Sequence, residues 1–260
     1  MAYYPVWLHL LFAKYLNATS KAKRSEFGMA DWKLISGSLT AISAGSRTNV
    51  WGVDSAGGIY RYTNNDASPW VKIPGGLSDI GAAADGTVWG VNSRNEIFRY
   101  TGDQSSTHWA TISGSLVRIS AGSRTNVWGV DSAGGIFRYT NNDASPWVKI
   151  PGGLSDIGAG ADGTVWGVNS RNEIFRYTGD QGSNNWELIS GSLVRISVGS
   201  RTNVWGVDSA GGIYRYTNND ASPWVKIPGG LSDIGAGADG TVWGVNSRNE
   251  IFRYTGDQPS

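Results

Sequence analysis

The residues that most often carry catalysis or bind metals are few in this chain, and they stand apart from one another. There is no Cys, which excludes thiol catalysis, disulfides and Cys-ligated zinc, and the two His residues are His9 and His108. We therefore expect no metal and no cofactor. The acidic residues recur in sets, which include the Asp and Glu series Asp79, Asp156, Asp233, Glu96, Glu173 and Glu250. We expect these acids to cap loops in contact with solvent.

An enzyme needs one asymmetric group of side chains, and the repeated acids do not supply it. Neither acidic set places two carboxylates at a recognisable spacing within one repeat. The sequence therefore predicts a protein that is not an enzyme. A hydrolase that combines carboxylates from different repeats stays open as a third alternative.

A Trp followed ten residues later by an Arg is the repeated pair best suited to binding. If Val53 pairs with Ile59 across a hairpin, Trp51 lies opposite Arg61 on one face of the sheet. An indole beside fixed donors suits a neutral sugar. The predicted ligand-binding residues are Trp51, Arg61, Trp89, Arg99, Trp128, Arg138, Trp166, Arg176, Trp205, Arg215, Trp243 and Arg253. The alternative is that these side chains hold neighbouring repeats together.

Charge excludes one class of partner. The chain has 22 basic and 21 acidic residues, and the net charge is +1 at pH 7. Such a balanced chain lacks the basic surface that binds phosphate backbones, so we expect no nucleic-acid partner. Repeated weak sites instead suit a repetitive target such as a glycan coat, where avidity multiplies each weak contact.

The spacing of the Trp residues defines the elements that position these pairs. Trp51, Trp89 and Trp128 mark units of 38 or 39 residues, and the unit occurs six times in two alternating versions. Each unit contains four short strand-like segments, which predicts an all-β six-bladed β-propeller. The segment Trp32–Ile35 should complete the last blade as its outer strand. Asp85-Gly86 and its copies suit type I′ hairpins.

A second Trp series runs at the same spacing as the first. These Trp residues lie in the last strand-like segment of each unit, and their rings are a second candidate surface for a ligand. They are Trp32, Trp70, Trp109, Trp147, Trp186 and Trp224. The loop types also alternate, with Ser46-Arg47-Thr48-Asn49 in odd units and Ala84-Asp85-Gly86-Thr87 in even units. The sequence therefore predicts two classes of cleft between blades, which need not bind equally.

The repeat resembles a known family. Trp-x-x-Ile-x-Gly-x-Leu-x-x-Ile-x-x-Gly, Val-Trp-Gly-Val-(Asp/Asn)-Ser and Ile-(Tyr/Phe)-Arg-Tyr resemble the tectonin repeat over residues 31 to 258, most closely that of the tectonin 2 lectins of mushrooms. The resemblance implies a lectin that binds O-methylated mannose or fucose on bacteria or nematodes in innate defence. Because tectonin repeats also occur in scaffold proteins, an intracellular protein-interaction propeller is the alternative.

Residues 1–28 depart from this pattern, so we divide the chain into 1–28 and a propeller at 29–260. Residues 3 to 16 are mostly apolar, too short to span a bilayer, and followed rather than preceded by basic residues. We expect no signal peptide and a cytoplasmic location. The segment is interpreted as a helix that assembles a homo-oligomer, with a tetramer favoured, or as a tail derived from a vector.

Overall fold

A computed structural model describes residues 31–105, 107–180 and 185–257. Its 24 strands form six antiparallel sheets of four strands each, which we number as blades 1 to 6. The first strands of the blades are Ala41–Ser46 (β2), Asp79–Ala82 (β6), Arg118–Ser123 (β10), Asp156–Ala159 (β14), Arg195–Ser200 (β18) and Asp233–Ala236 (β22). The second strands are Asn49–Val53 (β3), Val88–Val91 (β7), Asn126–Val130 (β11), Val165–Val168 (β15), Asn203–Val207 (β19) and Val242–Val245 (β23).

The third and fourth strands complete each blade. The third strands are Ile59–Tyr62 (β4), Ile97–Tyr100 (β8), Ile136–Tyr139 (β12), Ile174–Tyr177 (β16), Ile213–Tyr216 (β20) and Ile251–Tyr254 (β24). The fourth strands are Trp70–Ile73 (β5), Trp109–Ile112 (β9), Trp147–Ile150 (β13), Trp186–Ile189 (β17), Trp224–Ile227 (β21) and, in blade 6, Trp32–Ile35 (β1). The predicted six-bladed propeller is therefore confirmed.

The ring closes through β1, which pairs antiparallel with β24 in blade 6. Trp32 lies opposite Tyr254 and Ile35 lies opposite Ile251. The N-terminal strand thus covers an edge that would otherwise be open to other chains. This is the closure that the sequence predicts.

The hydrophobic core lies between neighbouring blades rather than within any one of them. One cluster combines Trp51 and Ile59 of blade 1 with Leu77 and Ile80 of blade 2, and five further clusters repeat this arrangement. The first strands contact one another around the axis, where mostly Ala and Gly leave a cavity of only about 10 Å³. Small side chains there allow six strands to converge.

The Asp-Gly hairpins differ from the predicted type. Gly86 has a positive φ of 89°, whereas Asp85 does not, and the Ala83 N–H donates to the Thr87 carbonyl over 2.8 Å. A type I′ turn requires positive φ at both central residues, so that prediction is wrong. The hairpin is instead a three-residue loop with Gly in the left-handed position.

We call the end of the ring that carries these hairpins the upper face, and the opposite end the lower face. The loops between third and fourth strands also lie on the upper face, because successive strands run in opposite directions. Among the described residues, no helix is long and apolar enough to cross a membrane. The segment at residues 3–16 and the division at residue 28 lie outside the described residues.

Candidate functional site

Each predicted Trp lies directly opposite its predicted Arg in the second and third strands. Trp51 pairs with Arg61 in this way, and the other five blades have the same register. The guanidinium carbon lies between 5.3 and 5.6 Å from the centroid of the indole in all six pairs. The structure therefore brings together every pair that the hairpin pattern suggested.

The indole of each pair is enclosed. Trp89 is 0% exposed, and its ring packs against Tyr139 and Trp147 of the next blade at centroid distances of 4.8 and 5.9 Å. The other five second-strand Trp residues are at most 1% exposed. In this conformation their ring faces form no open wall for a sugar, because the following blade covers them.

The Arg of each pair connects its blade to the next one. Arg99 donates two hydrogen bonds to Asp143 over 2.9 and 2.8 Å and a third to the Tyr139 hydroxyl over 3.1 Å. The bonds from Arg99 hold the pKa of the Asp143 carboxyl below its usual value. The corresponding ion pairs are Arg61–Asp103, Arg138–Asp180, Arg176–Asp220 and Arg253–Asp66. Arg215 instead donates to the Asp257 carbonyl over 2.6 Å. The six arginines thus stabilise the ring, and about 30% of the side chain stays exposed in Arg61, Arg99 and Arg138.

The outer-strand Trp series also connects blades. Trp70 donates its indole N–H to the Ser36 carbonyl of the preceding blade over 2.9 Å. Gly37 allows this approach, since a Cβ there would lie 2.8 Å from the Trp70 Nε1 and its φ is +131°. The equivalent bonds are Trp32–Pro228, Trp109–Pro74, Trp147–Ser113, Trp186–Pro151 and Trp224–Ser190. Five of these six rings remain partly exposed, whereas Trp32 is buried.

Two large cavities open on the upper face, each where an even blade meets the following odd blade. We call the three boundaries of this kind, between blades 2 and 3, 4 and 5, and 6 and 1, the even-odd clefts. The cavity between blades 2 and 3 measures about 690 Å³, and that between blades 4 and 5 about 650 Å³. The first is lined by residues that include Asp85, Arg99, Thr101, Arg124, Tyr139 and Asn141. The second is lined by their copies and also by Trp166.

The predicted ligand-binding residues omit two groups of side chains that shape these clefts. One is the Arg of the odd-blade hairpin, such as Arg124, which lines the cavity while its backbone N–H donates to Asp85 over 2.8 Å. The other is the residue two positions before each second-strand Trp, which is Asn49 in blade 1 and Thr87 in blade 2. The alternation of the two loop types in the sequence was the available signal for both.

The Asp set at 79, 156 and 233 lies at the axis rather than in loops, so the expectation that these acids cap solvated loops is wrong. Each Asp starts a first strand, and Asp79 accepts the Ile119 N–H over 2.8 Å. Burial raises the pKa of Asp79 to about 6 and that of Asp233 to about 7. By contrast, Glu96 does belong to a hairpin, where Asn92 and Arg94 donate to it.

Two arginines lie among these three aspartates. Arg118 lies 3.7 Å from Asp79 and 3.8 Å from Asp156, and Arg195 lies 3.8 Å from Asp233. The third odd blade has Ala41 at the equivalent first-strand position. The axial cluster therefore holds three carboxylates and two guanidinium groups. In the described part of the chain, no group of three His, Cys, Asp or Glu residues is arranged to hold a metal ion.

Comparison with known structures supports the fold. The chain is similar to YCF48 bound to a D1 peptide, with a TM-score of 0.54, 17% identity, and coverage of 88% of this chain and 84% of that one. It is also similar to the WD40 repeats of RRP9, with a TM-score of 0.59, 8% identity, and coverage of 88% and 98%. A protein of unknown function from Bacteroides thetaiotaomicron gives a TM-score of 0.59 at 14% identity, with coverage of 86% and 70%. These identities are low enough that the likeness extends to the fold alone.

No curated protein sequence matches the chain. The Tectonin domain family does match it, over residues 15–146 and again over residues 141–260. The two matches together span the whole of the described propeller, including every Trp–Arg pair. On this evidence, the chain belongs to the tectonin family.

Proposed function

We propose that this protein is a multivalent, non-enzymatic lectin whose glycan sites lie in the clefts between blades. The observation that carries the proposal is the repeated upper-face cavity of about 690 and 650 Å³. A cavity of that size accommodates a small ligand such as one or two sugar rings. Repetition around the ring gives several sites per chain, which supports avidity for a repetitive glycan.

The lining of the cavity suits a neutral sugar. Arg99 and Arg124 supply cationic donors, and Asp85 and Asp143 lie beside them and balance their charge. Hydroxyl and amide groups come from residues such as Tyr139 and Asn141. This mixture of fixed donors, acceptors and apolar carbon is the chemistry that recognises hydroxyl groups and methyl ethers.

Our proposal for the ligand is O-methylated mannose or fucose on the glycans of bacteria or nematodes, with a role in innate defence. It is supported by the resemblance to the mushroom lectins and by the neutral lining of the clefts. We also propose that the protein acts in the cytoplasm as a homo-oligomer, with a tetramer favoured. A chain beginning at Met29 should then contain fewer subunits per particle, by light scattering, than the full chain.

A glycan array and calorimetric titration with methylated and unmethylated mannose test the ligand. The site is tested with R47A/R124A/R201A, since Arg47 and Arg201 have side chains that are 83% and 77% exposed and their loss should spare the fold. Losing one charged donor per site costs about 1.5–3 kcal/mol, a drop of roughly tenfold or more in affinity. The matched control, R94A/R171A/R248A, changes the exposed lower-face arginines and should bind normally.

Two results would contradict the proposal. One is an array without any bound glycan, which is what a scaffold that binds only proteins would give. The other is equal affinity in the folded R47A/R124A/R201A protein and the wild type, which would place the sugar outside these clefts.

A further inference from the structure

The second-strand Trp residues fall into two classes by the partner of the indole N–H. In odd blades, Trp51 donates to the Asn49 side chain over 2.7 Å, and blades 3 and 5 repeat the bond at 2.8 and 2.7 Å. The same Asn49 donates its amide N–H to the Ala83 carbonyl of blade 2 over 2.7 Å. The Asn thus satisfies the indole and bridges the cleft that follows an odd blade.

Even blades have Thr in place of that Asn, at positions 87, 164 and 241. The indole N–H groups of Trp89 and Trp243 have no hydrogen-bond partner among the described residues, although both side chains are 0% exposed. Leaving such a donor unpaired in the interior is costly, and native proteins rarely do so without a reason. Each of these Trp residues faces the odd blade that follows it.

The second-strand Trp residues of even blades lie at the even-odd clefts, two of which hold the large cavities. Trp89 packs against Tyr139, which lines the cavity of about 690 Å³, and Trp166 itself lines the cavity of about 650 Å³. Trp243 packs in the same way against Tyr62 at the boundary between blades 6 and 1. A cavity and an unpaired indole donor therefore occur together in the cleft between blades 2 and 3, and the repeat places an equivalent Trp at the other two even-odd clefts.

We propose that the three even-odd clefts are the ligand sites, and that the indole N–H of Trp89, Trp166 and Trp243 donates to an oxygen of the bound glycan. This inference rests on the proposed lectin function and sets the number of its sites at three per chain. Because the N–H groups of Trp89 and Trp243 are buried, binding requires the side chains that line the cleft to move aside and let the glycan oxygen reach them. A methyl ether oxygen fits this role because it accepts a hydrogen bond and cannot donate one.

The chain itself suggests the test. The substitutions T87N, T164N and T241N together give even blades the acceptor that odd blades already have. The control carries T87V, T164V and T241V, which keeps the branched shape but offers the indole no partner. We expect calorimetry to find three sites per wild-type chain. The Asn variant should bind O-methylated mannose at least tenfold more weakly and unfold at a higher temperature. The Val variant, in which the indole gains no acceptor, should lose much less affinity than the Asn variant and should not unfold at a higher temperature.

The outcomes separate this inference from the function on which it rests. If the wild type binds no glycan, the lectin proposal fails and the inference fails with it. If the wild type binds six equivalents, or the Asn variant binds fully, the lectin stands and the three-site inference is overturned. Loss of binding in both folded variants would assign the effect to the Thr hydroxyl and overturn the role of the indole.

Discussion

Replacing Trp32 by Ala tests whether β1 closes the ring. The Trp32 side chain is 0% exposed and packs against Tyr254 and Trp205 at centroid distances of 5.0 and 6.3 Å. Its indole N–H donates to the Pro228 carbonyl over 3.1 Å. Truncating a buried Trp to Ala costs about 3–5 kcal/mol. In a protein of this size, each kcal/mol lowers the unfolding midpoint by about 2–4 °C, so we expect a fall of about 6–20 °C.

The matched control is Leu34→Ala in the same strand. Leu34 is 43% exposed, so its truncation should cost less than about 1 kcal/mol. Thermal unfolding followed by Trp fluorescence gives both midpoints, and size-exclusion chromatography detects chains that pair through an uncovered edge. Equal midpoints for folded W32A and L34A would refute the argument that β1 closes the ring.

Two further predictions concern the axial cluster. Because burial raises the pKa of Asp79 to about 6 and of Asp233 to about 7, the unfolded chain ionises these groups first as the pH rises. The free energy of unfolding should therefore fall between about pH 4 and pH 7 and then level off. Chemical denaturation at each pH measures this free energy, and a rise over that range would contradict the prediction. Ala41→Arg should place a third guanidinium between Asp233 and Asp79 and raise the thermal unfolding midpoint at pH 8 but not at pH 4. The control Ala41→Met should leave the midpoint unchanged at pH 8. Equal effects of Arg and Met would refute the charge argument.

Much of the fold could be predicted because six copies of the repeat in one chain can be compared with one another. The spacing of Trp51, Trp89 and Trp128 gave the number of blades, and the Val53–Ile59 hairpin gave the register that places Trp51 opposite Arg61. Both are properties of a single unit and its period, which a sequence displays directly.

The enclosure of the indoles could not be predicted in the same way. Tyr139 and Trp147 cover Trp89 from the next blade, so the accessibility of the ring depends on how two blades pack. The position of Asp79 at the axis was missed for a related reason. Its neighbours Asp156 and Asp233 lie 77 and 154 positions away, and only closure of the ring brings them together.

The alternation of two repeat versions has a geometric consequence for binding. Each blade has two faces, one of which lines the cleft before the blade and the other the cleft after it. In a closed ring with an even number of blades, two alternating sequences therefore give two types of cleft, three of each. One type is bridged by an Asn that also satisfies the indole, and the other lacks that Asn and, between blades 2 and 3, combines an unpaired indole N–H with a cavity. The three proposed sites would lie on a single face, each a third of a turn from the next, and could engage one glycan-coated surface together. Avidity would then depend on that shared orientation as much as on the affinity of each site.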